Sequence, residues 1–308
     1  MTRWTRLHPT APPERLAAVR ILSGAYAVGY LAVRSPAILA VRDRDPAAFS
    51  GVGVLATLDR PVPDAAVVAL LAVTLVAGVA FTVGAAFRVS GPAFAGCFLL
   101  VATYRSSWGQ LLHFENLPAL HLLVLGLAAS ADAWSLDARR RGRPAPSGHD
   151  HAAPLRLLCL MVVLAYVIAG LAKLRYGGLD WITGDALRHH LAYSATRLEL
   201  LGEAPPPWAA TAVANAWALP PLAAASVLVE LGAPVALLGG RARDLWVGSA
   251  WLLHAGIAAL MFVVFPYPLL LVAFAPFFEL ERLVPLLRSR RKRLGARHDA
   301  APTNGAGP

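Results

Sequence analysis

Residues 157–174 read Leu-Leu-Cys-Leu-Met-Val-Val-Leu-Ala-Tyr-Val-Ile-Ala-Gly-Leu-Ala-Lys-Leu. As a helix rising about 1.5 Å per residue, this run is long enough to enter a bilayer whose apolar core is roughly 30 Å thick. Its one charge, Lys173, stands at the end. The chain carries 28 Lys and Arg residues, yet only Lys173 and Lys292 are lysines, and Lys292 lies in the basic stretch Arg288–Arg293. A protein that otherwise uses arginine has kept, at membrane depth, the cation whose amine loses its proton readily on desolvation. Lys173 is therefore a candidate general base or nucleophile. A lysine that lays its stem along lipid and lifts its head to the interface is the competing reading.

The rest of the chain has the same character. Of its 308 residues 57% are hydrophobic and 15% charged, and the mean hydropathy is +0.56, whereas a soluble domain is about 25% charged. An all-α polytopic bundle follows. Apolar runs bounded by charge or proline predict about eight spans: Arg15–Val33, Asp64–Phe87, Val89–Tyr104, Asn116–Ala131, Ala153–Leu174, Pro207–Leu238, Asp244–Phe265 and Pro268–Leu283. The expected organisation is an N-terminal segment 1–14, a membrane domain 15–283 and a basic, disordered tail 284–308. No separate soluble domain fits, and no cleavable leader or lipidation motif is read at the termini.

The net charge of +10 comes from arginines in short connections, which speaks for cytoplasmic loops and against nucleic acid as a partner. With eight spans, Arg3, Arg6, Arg88, Arg139 to Arg141, Arg143, Arg241, Arg243 and the tail all fall on one side. The positive-inside rule makes that side cytoplasmic, with both termini there, in a multi-pass protein of the cell membrane. Cys97 and Cys159, inside apolar runs, read as packing residues.

The opposite face collects a different set: His113, Glu115, Asn116, Lys173, Asp180, Trp181, Asp185, His189 and His190. Converging titratable and aromatic groups predict a pocket. His113 and Glu115 are candidates for acid–base work, or for part of a metal site; an interfacial turn in which Asn116 caps the next helix is the alternative. His121 reads as a hydrogen-bonded bundle residue. His189 and His190, adjacent on a helix, diverge by about 100° and cannot readily share one ion, so no metal centre is assigned. Residues 185–201 carry leucines at three- and four-residue spacing and predict a helix along the interface. Glu230, within an apolar run, needs a partner, a proton or a wet cavity. His254 could be that partner, in catalysis, as a clamp between helices, or in a small-solute pathway. No inverted repeat supports transport. Trp208, Trp217 and Trp246 read as an aromatic belt, and Gly177-Gly178 as a turn rather than a phosphate loop.

Tyr166-Val-Ile-Ala169-Gly170-Leu-Ala-Lys173-Leu174, followed by Asp180-Trp181-Ile-Thr-Gly184, resembles the core motif of the vitamin K-dependent gamma-carboxylase-like domain, also called the horizontally transferred transmembrane (HTTM) domain. Trp134-Ser135-Leu136-Asp137 is similar to that family's Trp-Ser-x-Asp. The resemblance implies a lipid-phase enzyme in which Lys173 is the general base toward a reduced quinone such as vitamin K; Tyr166, in the same motif, joins Asn116, Asp180, Trp181, His189 and His190 as a pocket candidate. The sequence departs from the animal enzymes in three places. Ala172 stands where they have a second lysine, no histidine aligns before Trp-Ser-x-Asp, and no large outer region follows the last span. Protein-glutamate carboxylation is accordingly not expected. The implied partners are membrane lipid and a lipid-soluble small molecule; a non-enzymatic binding or assembly component is the alternative.

Overall fold

A computed structural model describes residues 10–110, 113–142 and 145–283. The readings made for Arg3, Arg6, Arg143 and the tail 284–308, and all but the end of segment 1–14, lie outside those residues. Eleven α-helices and several 3-10 turns form the described part, which contains no strand. They are α1 (Pro13–Leu39), α2 (Asp64–Val83), α3 (Phe87–Ser106), α4 (Asn116–Leu127), α5 (Leu136–Arg141), α6 (His149–Thr183), α7 (Asp185–Leu200), α8 (Ala209–Ala214), α9 (Leu219–Leu231), α10 (Gly240–Met261) and α11 (Pro266–Leu269).

Helices α1, α2, α3, α6 and α10 are long and apolar enough to cross a membrane. Their inward residues, among them Leu16, Phe81, Phe94 and Leu158, make the core together with Leu122 of α4, while Val76, Ile168 and Leu252 stand on the outside. Large apolar side chains on the outer surface of such helices are at home against hydrocarbon, not water.

The eight expected spans are not eight continuous helices. Residues 207–238 divide into α8, a turn at Ala216–Ala218, α9 and a 3-10 segment Ala233–Leu238. Pro220 and Pro221 start α9, and Pro234 lies just past its end, where a missing N–H is tolerated. The last expected span resolves into the four-residue α11 and 3-10 turns at Val272–Phe277 and Leu280–Arg282, with prolines at 266, 268 and 276. Its apolar residues serve the interior: Tyr267, Ala273 and Phe274 are buried. Irregular backbone at membrane depth survives where protein surrounds it. Residues 185–200 do form the helix their leucine stripe predicts.

Connections gather at two ends, as the alternation of spans requires. At one end Ala11 pairs with Gly148, and the Arg15 guanidinium binds Glu279 and Glu281. The Trp-Ser-x-Asp stretch also lies here and has a structural task. The Asp137 carboxylate accepts from Ala86 N–H at 3.0 Å and Phe87 N–H at 2.7 Å, and so caps the start of α3. Ser135 Oγ caps α5 at Ala138 N–H. The Trp134 carbonyl, with that of Ser130, accepts from the fully buried Arg20 guanidinium at 2.7 Å. The amides of Phe87 and Ala86 hold the Asp137 carboxyl below the usual carboxylate range. At the other end lie the 113–115 turn, the end of α6, α7 and the 262–266 turn.

Candidate functional site

The site begins with a close approach. A Cβ on Gly170 would stand 2.9 Å from Leu231 Cδ2 and 3.0 Å from Glu230 Cβ, so the absent side chain is what lets α6 and α9 touch. One turn further along α6, Lys173 reaches across that contact, and its Nζ donates to Glu230 Oε1. The two side chains keep 19% and 7% of their exposure, so the amine is enclosed rather than lifted into solvent. Glu230 Oε2 is buried with no partner among the described residues.

The end of α6 then folds back over the amine. Gly178 has φ +55° and ψ −141°, a conformation that L side chains avoid, and it kinks the helix after Gly177. That turn brings the Trp181 ring to 5.2 Å from Lys173 Nζ, within reach of a cation–π contact. Trp181 Nε1 donates to Ser226 Oγ at 3.2 Å, and its ring lies 5.3 Å from His190. The Gly-Gly turn read from the sequence is thus what places the indole.

Lys173, Trp181 and His190 form the polar edge of a cavity of about 510 Å³. Ser226 and Ser249 add hydroxyls, and the remaining wall is largely aliphatic, with Leu222, Val229, Leu252, Leu253, Ile257 and Leu260, and is completed by Phe265. His189 and Tyr176 face a neighbouring space of about 460 Å³ that shares Lys173 and Trp181. Few polar groups at one edge of a dry wall suit an apolar molecule with one polar end.

His254 is not the partner of Glu230. Its Nε2 lies 2.8 Å from the Tyr166 hydroxyl, Lys173 has taken the carboxylate, and His254 Nδ1 is buried without a partner among the described residues. Trp246, expected in the interfacial belt, is buried, with its ring 5.0 Å from Tyr166 and its Nε1 donating to the Val229 carbonyl. Trp208 and Trp217 are exposed.

His113, Glu115 and Asn116 do not join Lys173. Glu115 is buried and accepts from Arg105 and from the Tyr30 hydroxyl, neither of which the sequence reading singled out. Burial pushes its carboxyl up, against the opposing pull of Arg105. Glu115 itself occupies the position before α4, and Asn116 is an exposed first helical residue rather than a cap. The His113 ring packs 5.5 Å from Phe265, which also meets His254 at 5.1 Å and Phe114 at 6.5 Å. Asp180 is exposed; its carbonyl accepts from Thr183 Oγ1. His121 is a buried bundle residue, its Nδ1 2.8 Å from the Tyr267 hydroxyl. Among the described residues no three His, Cys, Asp or Glu side chains gather as metal ligands.

Comparison with known proteins adds one match, a family model described as HTTM domain, over residues 8–281. No curated protein and no solved structure matches the chain.

Proposed function

The chain belongs to the HTTM domain family and is a membrane protein of the carboxylase-like class, and from that premise we propose that it is a quinone-linked enzyme with Lys173 as its general base. The observation that carries this reading is the Lys173–Glu230 pair at the polar edge of an apolar cavity. An ammonium beside a carboxylate and an amine beside a carboxylic acid have the same net charge, so moving one proton along their hydrogen bond leaves no net charge behind in the apolar wall. The shift gives Lys173 a free lone pair, and Glu230 holds the proton until it returns. Trp181 covers the amine, and the leucine and isoleucine wall keeps water from competing for it. A weakly acidic hydroxyl entering the cavity then meets a base within hydrogen-bond reach.

A reduced quinone fits this donor set. Lys173 and Ser226 would hold its hydroxyl end, Trp181 its ring and the aliphatic wall its tail; when bound, it would supply an acidic hydroxyl and two reducing electrons. The unpartnered Oε2 of Glu230 leaves acceptor capacity beside the amine. We place this end of the bundle on the face away from the cytosol, following the arginine-rich connections at the other end.

The same pair also has the form of a clamp between α6 and α9, which favours the second reading, a binding or assembly component. The experiment that separates them measures air-dependent consumption of an added short-chain naphthoquinol by purified protein, with quinone in solvent extracts identified by mass spectrometry. Wild type should consume the quinol and carry quinone, while Lys173→Ala and Lys173→Arg should both lose turnover. Gly256 lines the cavity with open space around its Cβ, so Gly256→Phe should empty the extract without disturbing the backbone. Full activity in Lys173→Arg, or unchanged quinone in Gly256→Phe, refutes the enzyme reading.

A further inference from the structure

A second cavity, of about 1050 Å³, lies at the same end of the bundle and shares only Val263 with the lining of the lysine site. Four arginines line it: Arg34 from α1, Arg44 from the loop after it, Arg105 from the end of α3, and Arg197 from the last turn of α7. Among the described residues, only Arg105 of these four is ion-paired, with Glu115, whose charge Arg34 also feels. Arg44 Nη1 donates to the Trp108 carbonyl at 3.1 Å, which fixes the guanidinium but does not cancel its charge. Arg34 and Arg197 are exposed, and neither has a carboxylate within ion-pair distance among the described residues. The end of α1 with its following loop, the end of α3 and the end of α7 thus bring net positive charge to one concavity. Beneath that charge the wall is apolar and aromatic. Tyr26 and Tyr30 stack at 5.9 Å, Phe114 meets Tyr30 edge-on, and Gly29 leaves open space between the helix and the cavity.

A guanidinium rim suits an anion with several acceptor oxygens, because each planar fork can give two parallel N–H bonds. The apolar wall below it suits hydrocarbon. We infer that this cavity is a binding site for an anionic amphiphile, a phosphodiester-headed lipid whose head the arginines hold and whose tail lies along Tyr26, Gly29 and Phe114. It differs from the lysine site in kind, since the cavity beside Lys173 has one cation, already paired, and a largely aliphatic wall. The inference stands whether or not Lys173 is a base.

The test uses the full chain in detergent micelles and native mass spectrometry, with dioleoylphosphatidylglycerol or dioleoylphosphatidylcholine added at equal concentration. Both lipids offer the rim a phosphodiester, but phosphatidylcholine brings its own ammonium against the arginines, so net charge predicts roughly tenfold preferential retention of the anionic lipid. Arg34→Gln combined with Arg197→Gln should bring the preference down to about twofold or less. Both residues are exposed, so the fold is kept. Gly29→Leu, which fills the cavity and leaves every arginine in place, should reduce retention as well. Arg139→Gln with Arg140→Gln, at the opposite end of the bundle, should leave it unchanged. Equal retention of the two lipids, an equal loss in the Arg139 and Arg140 control, or an indifferent Gly29→Leu would each overturn the inference. So would displacement of the lipid by inorganic phosphate at matching concentration, which would make the site one for a free anion.

Discussion

The Lys173–Glu230 pair can be tested as a pair, before any substrate is known. Breaking a buried ion pair by removing one partner costs about 3–5 kcal/mol, because the other charge stays behind uncompensated. The two singles should differ in a definite order. Lys173 retains 19% of its side-chain exposure, so in Glu230→Leu its flexible stem can turn the amine outward, and the loss should be near the low end, about 3 kcal/mol. Glu230 retains only 7% on a shorter, less adaptable side chain, so Lys173→Met should cost about 4 kcal/mol. The double variant leaves no orphan and replaces the pair with apolar groups of similar volume, which is usually near neutral, so it should return to within about 1 kcal/mol of wild type. Unfolding free energies from SDS titration in mixed micelles, followed by tryptophan fluorescence, close the cycle. The expected signature is a double variant more stable than either single, with a coupling of about 6 kcal/mol, the two single losses less what remains in the double. Additive losses, with a coupling below about 0.5 kcal/mol, would mean that the two side chains do not meet, and the proton-sharing argument would go with them.

Gly170→Ala puts a Cβ at 2.9–3.0 Å from Leu231 and Glu230, so it should cost about 1–3 kcal/mol and weaken the coupling in the same cycle; a neutral Gly170→Ala contradicts the close approach. Gly178→Ala, at φ +55° and ψ −141°, should cost roughly 1–3 kcal/mol and release the indole, read as faster hydrogen exchange across 176–184. Asp137→Asn loses the charge and one of the two acceptor oxygens at the start of α3, and should lower stability by about 1 kcal/mol at neutral pH. The folded carboxyl lies below its ordinary range, so its contribution is complete above about pH 4, the unfolded value, and fades as pH falls further. Wild type and Asp137→Asn stability curves should therefore converge below that pH, and a gap that persists there rules out the capping role.

The parts of this architecture that composition reveals are those where hydrophobicity and geometry coincide. Leu157–Leu174 is both apolar and helical, and so are the runs that become α1, α2, α3 and α10. The run Pro268–Leu283 is equally apolar but not a helix, because hydropathy counts side chains while Pro268 and Pro276 act through the backbone. Lys173 was legible as a singular residue, since a lone lysine among arginines at membrane depth is visible in one dimension. Its partner was not. Glu230 lies 57 residues away, and its pairing is decided by the contact at Gly170, which only the packed structure displays. His254, two turns before Met261 on the same face of α10, is an equally good partner in one dimension, but it faces Tyr166 instead. The Trp-Ser-x-Asp stretch shows the reverse case, in which a recognised pattern proves to be a hydrogen-bonded join between α3, α5 and Arg20.

Val263 lines both large cavities, and Phe265 is wedged between His113 on one side and His254 on the other. The segment carrying them is only a short turn that enters with Phe262 at φ +55° and leaves into a proline. Both chambers thus share a wall at this bend. Whatever enters either one presses on the same few atoms, so each guest should alter how readily the other is admitted, and the strength of that reciprocity is set by how stiffly this one bend of chain resists being pushed.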